Sequence, residues 1–284
     1  MVNSRTITLT SLAMLAFAGN SILCRLALKT TTIDPASFTT IRLASAATAL
    51  WVILSLRSKG RPILGNWPSA LALFVYAAGF SFAYINLKAG TGALLLFGSV
   101  QTSMISFGLW KGERFNVLQI AGFILAIIGL VVLVFPGLSA PPISSSALMI
   151  IAGVAWGIYS LRGRGVGDAT MMTAGNFIRT LPMAAALSLI AWQSASLDLN
   201  GVLLAIASGA ITSGIGYAIW YSALPGLKAT QAATVQLSVP VITAIGGIVL
   251  IGEPLSLRLV LASLAILAGI SLVIFNKQAA KQKS

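Results

Sequence analysis

Apolar stretches of about 20 residues recur along this chain from end to end, and most of the charge sits in the short segments between them. A helix of about 20 residues rises some 30 Å, the thickness of a bilayer's hydrocarbon layer. Only 8% of the 284 residues are charged and 57% are apolar, whereas soluble domains average about 25% charged. That is too little polar surface to cover a water-soluble globule. The pattern dictates an all-α, polytopic membrane protein. The glycines follow no triplet period, which excludes a collagen-like chain, and the single Cys24 excludes an intrachain disulfide framework.

Apolar runs bounded by charge, Pro or Gly give ten transmembrane spans. They cover residues 7–28, 35–56, 67–85, 90–110, 117–135, 146–161, 171–192, 202–223, 229–251 and 257–275. The first run carries one early Arg5, a polar Asn20 and no small-residue cleavage site, so it reads as a retained span rather than a signal peptide. The net charge of +13 would suggest nucleic acid in a soluble protein. Here the basic residues sit in short loops, with no contiguous groove of interleaved aromatics, so no nucleic-acid partner is expected. One side of the alternation holds Arg5, Arg57, Lys59, Arg61, Lys111, Arg114, Arg162, Arg164, Lys228, Lys277, Lys281 and Lys283. The other holds Lys29, Lys88, Arg258 and, if the first span ends early, Arg25. Basic loops stay in the cytoplasm, which puts both termini there.

The halves resemble each other. Gly112-Glu113 recurs as Gly252-Glu253, and at the same offset Gly129 falls on Gly269 and Phe135 on Phe275. Ser99-Val100 matches Ser238-Val239 one residue out of step. At a slightly shorter offset Ile41-Arg42 matches Ile178-Arg179, Gly79 matches Gly216, Phe80 matches Tyr217 and Tyr84 matches Tyr221. Both glutamates of the chain follow a Gly at equivalent places. Five spans per half is odd, so the second copy enters the membrane from the opposite side, the inverted arrangement that places substrate sites between repeats near the midplane. The expected division is a first five-helix repeat at 1–138, a second at 145–276 and a basic cytoplasmic tail at 277–284.

Ten spans in two halves, a Gly-Glu pair after spans four and nine, and Trp156-Gly157 in span six together resemble the drug/metabolite transporter superfamily, and within it the EamA-type branch. The likeness covers nearly the whole chain and extends to YddG-type amino-acid exporters of the bacterial inner membrane. It implies export of small solutes by one membrane domain without ATP, in a family whose members carry amino acids, metabolites, nucleobase-like compounds and drugs. One departure stands out. The small four-helix multidrug members carry an essential glutamate in their first helix, whereas here residues 14–20 hold no carboxylate, which argues against proton-coupled export of cationic drugs.

The residues themselves point the same way. Asp34, Glu113, Asp168, Asp198 and Glu253 all fall in loops or at span ends, and His is absent. A transmembrane proton relay needs a buried titrating group, so facilitated diffusion or exchange is expected. No catalytic constellation, metal cluster or phosphate-binding loop is present in the sequence, so neither enzyme activity nor a cofactor is expected. Tyr76, Phe80, Trp156, Tyr159 and Tyr217 lie too deep for an interfacial belt and read as walls of a substrate cavity, whereas Tyr84 and Tyr221, near span ends, fit such a belt. Asn20, Gln101 and Gln236 are the candidates for a substrate head group, and Asn176 is a further buried amide; each could equally bond between helices. Arg42 and Arg179 could attract a substrate carboxylate at the two vestibules or bond helix-end carbonyls. The Gly-Glu pairs read as turns that cap the following helix. The expected function is export of small organic solutes, amino acids including aromatic ones, by alternating access. A metabolite or drug exporter of the same fold stays open, as does a non-transporting receptor or scaffold, against which the repeat argues. The expected partners are a small-molecule substrate and membrane lipids. The chain is read as a monomer or weak homodimer, with spans five and ten at the periphery.

Overall fold

The computed structural model describes residues 3–57, 64–112, 114–137, 140–163, 168–227 and 229–281. Lys59, Arg61, Glu113, Arg164, Lys228 and Lys283 lie outside the described residues. The chain forms α1 (Ser4–Thr30), α2 (Pro35–Arg57), α3 (Trp67–Tyr84), α4 (Ala89–Trp110), α5 (Val117–Val134), α6 (Ile143–Arg162) and α7 (Ala169–Ile190). An eighth rod joins α8 (Leu199–Ile206), a π-helical segment (Ala207–Ile215) and α9 (Gly216–Ala223). A ninth joins α10 (Ala229–Gln236) and α11 (Ser238–Ile251), and α12 (Leu257–Lys281) is the last.

Nine of these rods are long and apolar enough to cross a membrane among the described residues. With no water in the hydrocarbon to satisfy backbone groups, helices are what such a chain must form. The exception is α7, which carries Thr173, Asn176, Arg179, Thr180 and Pro182. Its polar load is met inside the protein. Asn176 Oδ1 accepts from the Asn66 amide at 2.9 Å, and Arg179 Nη1 donates to the carbonyls of Leu64 and Gly175 at 3.1 and 3.0 Å.

Local chemistry sets the breaks. Pro240 has no N–H, and its ring would clash with the carbonyl of Gln236, so the ninth rod is interrupted at Leu237 rather than running unbroken over 229–251. Span seven stops at Ile190, followed by a 3₁₀ turn at Trp192–Ser194. The last helix continues to Lys281, through much of the segment expected as a tail. Gly252, at φ 68°, gives α11 a left-handed end in which the Gly252 and Glu253 amides close on Ile248 and Gly247. Glu253 then turns back into the bundle instead of capping the next helix, a correction to the sequence reading.

The rods pack as neighbours in a regular pattern. The α3–α6 contact has a counterpart between the eighth rod and α1, the α4–α6 contact one between the ninth rod and α1, and the packing of α2 on the eighth rod one in α7 on α3. Contacts α2–α7, α4–α11 and α5–α12 map onto themselves when the first five rods are exchanged with the last five. At the α5–α12 contact the backbones nearly touch: a Cβ on Gly122 would stand 2.6 Å from the Gly269 carbonyl oxygen, and one on Gly269 would meet that of Gly122.

One end of the bundle gathers the turns after α1, α3, α5, α7 and α11. Asp34 binds it together: its carboxylate accepts from the amides of Ala36 and Ser37 at the start of α2 and from Ser196 before α8, at 2.9 to 3.0 Å. Burial opposes its ionisation, but the bonds from Ser37, Ser196 and Ala36 outweigh burial and hold the carboxyl below its usual range. Because the native pKa is depressed, this stabilisation is complete above about pH 3.9 and fades as pH falls through the native value. Asp34→Ala should therefore cost about 1 kcal/mol at pH 7. In thermal melts of the detergent-purified protein, the gap between wild type and variant should close below about pH 3.9.

Candidate functional site

At the centre, α1, α3, α4, α6 and the eighth rod surround a small chamber. Phe17, Asn20 and Ser21 of α1 line it with Tyr76 and Phe80 of α3, Trp156 of α6, and Thr212, Ser213 and Tyr217 of the eighth rod; Leu96, Phe97 and Val100 of α4 complete the wall. The aromatic rings form a continuous wall. Trp156 stands 4.3 Å from Tyr76 and 5.3 Å from Tyr217 between ring centroids, Tyr76 stands 5.5 Å from Phe80, and Phe17 stands 5.6 Å from Tyr217.

Asn20 is the polar hub. Its Nδ2 donates to Tyr76 Oη at 3.1 Å, and its Oδ1 accepts from the hydroxyls of Ser208 at 2.7 Å and Thr212 at 3.4 Å. The π-helical turn brings these hydroxyls round. Thr212 and Ser213 both donate to the Ser208 carbonyl, at 2.7 and 2.9 Å, a local widening of the kind frequent at functional positions. Gly209 lets this segment lie against α2, where any Cβ would collide with Ser45 and the Arg42 carbonyl. Around the chamber, Tyr217 Oη has no hydrogen-bond partner among the described residues. The lining offers aromatic faces, hydroxyls and one amide. Such a set binds and orients a solute; it contains no general base beside a nucleophile.

Five of the eight expected cavity residues come together: Asn20, Tyr76, Phe80, Trp156 and Tyr217. The other three do not line the chamber. Tyr159 faces α7, its hydroxyl donating to Thr173 at 3.2 Å; Gln101 is buried in α4; Gln236 donates to the Ala232 carbonyl of its own helix at 3.1 Å. Arg42 is 2% exposed and sits behind the wall, its guanidinium carbon 4.8 Å from the Phe80 centroid and 5.5 Å from that of Tyr76. Arg179, in contrast, spends its Nη1 on backbone carbonyls. Tyr84 is a correction: it is fully buried, with Oη donating to the Ala89 carbonyl at 3.2 Å, and belongs to no exposed belt. The sequence reading missed Phe17, Ser21, Thr212 and Ser213. The i, i+4 spacing of Phe17 and Ser21 about Asn20 carried a signal for the α1 pair, but the π turn that aims Thr212 and Ser213 leaves none.

A second arrangement closes the bundle end that holds Asp34. Arg25 Nε pairs with Glu253 Oε1 at 2.9 Å, the one ion pair among the described residues, at 11% and 6% exposure. Arg25 Nη1 also donates to the Tyr84 and Ile85 carbonyls, and Glu253 Oε2 accepts from the Ala89 amide at 2.7 Å. Four helix ends are thus tied through two side chains. Along α4, every residue from Ala89 to Gln101 next to this lock is buried, and none from Thr102 to Trp110 is. The α4 wall is fully buried at the locked end and only partly buried toward the other.

Comparison with known proteins agrees with this architecture. The EamA-like transporter family matches residues 143–275. An uncharacterized protein of Pseudomonas aeruginosa is 55% identical over 275 residues, covering 96% of each chain. A Salmonella typhimurium protein described as a probable amino-acid metabolite efflux pump is 23% identical over 227 residues, covering 69% of this chain and 72% of its own. A crystal structure at 18% identity superposes with a TM-score of 0.64 over 95% of this chain and 97% of the other, a likeness of fold. With its membrane-spanning helices and these matches, the chain belongs to the EamA-like transporter family.

Proposed function

We propose that this protein is a secondary transporter that exports small organic solutes, amino acids with aromatic ones among them, by alternating access through the central chamber, as a facilitator or exchanger. The observation that carries the reading is the chamber itself: neutral, walled by aromatic rings, and built from both halves of the chain. The neighbour pattern of the rods, which survives exchange of the first five for the last five, supports two inverted repeats at 1–138 and 145–276, with α7 as the tenth span. The excess of basic residues in alternate loops supports cytoplasmic termini in a bacterial inner membrane. On that orientation the Arg25–Glu253 lock lies at the outer face and the partly buried half of α4 at the cytoplasmic face. The name of the Salmonella relative supports amino acids as cargo.

Purified protein in liposomes, with no other component, should exchange labelled phenylalanine or leucine across the membrane. Its initial rate should not respond to an imposed pH gradient, because no titrating carboxylate or histidine lines the chamber. A panel in which only a neutral drug moved would replace the cargo; no movement of any solute would favour a scaffold. Tyr217→Phe removes a hydroxyl that bonds nothing in the protein, so the melting midpoint should hold while transport falls about tenfold, the value of one hydrogen bond to a charged group. A structural role for that hydroxyl would lower both.

The lock generates a separate prediction. Glu253→Gln leaves Arg25 without its counter-charge and should raise the population open to the outside. In a Cys24→Ser background carrying Ser21→Cys, a membrane-impermeant maleimide added from outside should label the chamber faster when Glu253→Gln is present. Equal labelling with and without the change would remove the lock from the mechanism.

A further inference from the structure

The lining of the chamber described above is neutral, but a buried cation stands behind one wall. Arg42 carries a full positive charge behind the Tyr76 and Phe80 rings, with no carboxylate bound to it among the described residues. Its Nη2 donates to the Ala77 carbonyl at 3.3 Å, while Nη1 is buried with no partner. A buried, half-satisfied guanidinium is costly, and interaction with two ring faces offsets part of that cost while leaving the charge uncompensated. On the chamber wall, Tyr217 Oη is also unpartnered, and Tyr76 Oη, already accepting from Asn20, retains its own proton to donate. Thr212 and Ser213 also line the chamber, their hydroxyls bonded to the Ser208 carbonyl and, for Thr212, to Asn20 Oδ1 as well.

We propose that the chamber is a carboxylate-requiring site: Arg42 and the tyrosine hydroxyls supply charge and donors for a carboxylate. The inference rests on the chamber being the solute site and adds what the solute must carry. Amino acids and simple monocarboxylates of the same bulk satisfy it. A primary amine lacking the carboxylate brings a second positive charge toward an uncompensated guanidinium. Contact with the free guanidinium donor requires the Tyr76 and Phe80 rings, which cover it, to shift. Arg179, its repeat partner in sequence, has its Nη1 tied to backbone carbonyls and takes no part.

The test uses the detergent-purified full chain and three compounds sharing one side chain: phenylalanine, 3-phenylpropanoate, which lacks the ammonium, and phenethylamine, which lacks the carboxylate. Binding is read from protection against thermal unfolding and from quenching of tryptophan fluorescence. Phenylalanine and phenylpropanoate should bind wild type at least tenfold more tightly than phenethylamine. Arg42→Gln should bring the three within about threefold of one another, whereas Arg42→Lys, which keeps the charge, should retain most of the preference. Equal binding of the amine by wild type overturns the proposal, as does a full preference retained in Arg42→Gln or no binding of any of the three. Where Arg42→Gln does not accumulate as folded protein, the wild-type comparison and Arg42→Lys decide. Ordered binding without movement of labelled phenylalanine in liposomes would remove the transport reading and leave this one standing.

Discussion

Hydrocarbon offers a polar group no partner, and the layout of this protein follows from that constraint. The backbone answers it by forming helices throughout the spans. Side chains answer it by finding one another: Asn20 with Tyr76 and Ser208, Asn176 with the Asn66 amide, Arg179 with two carbonyls, Arg25 with Glu253. Once these pairs are subtracted, some buried polar atoms remain without a partner among the described residues, Tyr217 Oη on the chamber wall and Arg42 Nη1 behind it among them. Each carries a cost that lasts until a partner is found.

The architecture and the interior differ in how far they could be read from residues alone. Helix order came from hydropathy, which reports the lipid; nine of the ten expected spans are long and apolar enough to cross among the described residues, and the last helix outruns its expected end. Asn20, Tyr76, Phe80, Trp156 and Tyr217 were legible as a group because depth in a span is read from sequence, and deep aromatic or amide groups demand partners. Which side of a helix faces the chamber was not legible. Tyr159 lies three residues from Trp156 but turns to α7, and Gln236 folds onto its own helix. Tyr84 shows the limit of counting from span ends: α4 begins so close beyond it that a ring near the boundary is sealed by the next helix. The π turn at Ala207–Ile215 has no signature in a stretch of Ala, Ser, Gly and Ile, since its widening depends on Gly209 fitting against α2.

Glu253 joins two levels of the structure. The Gly252 turn frees its side chain from the following helix, and the carboxylate reaches both the Arg25 side chain and the first amide of α4. A single carboxylate therefore links the start of the best-buried helix segment to the helix that bears Asn20. The same helix, α1, carries both Arg25 of the ion pair and Asn20 of the polar hub.

The glycine contact between α5 and α12 has a different bearing. Two helices whose carbonyls and Cα atoms lie against each other leave no room to roll or slide, and the side chains that would cushion such motion are missing there. On the proposed cycle, distances measured across this pair are expected to stay constant while those elsewhere lengthen and shorten.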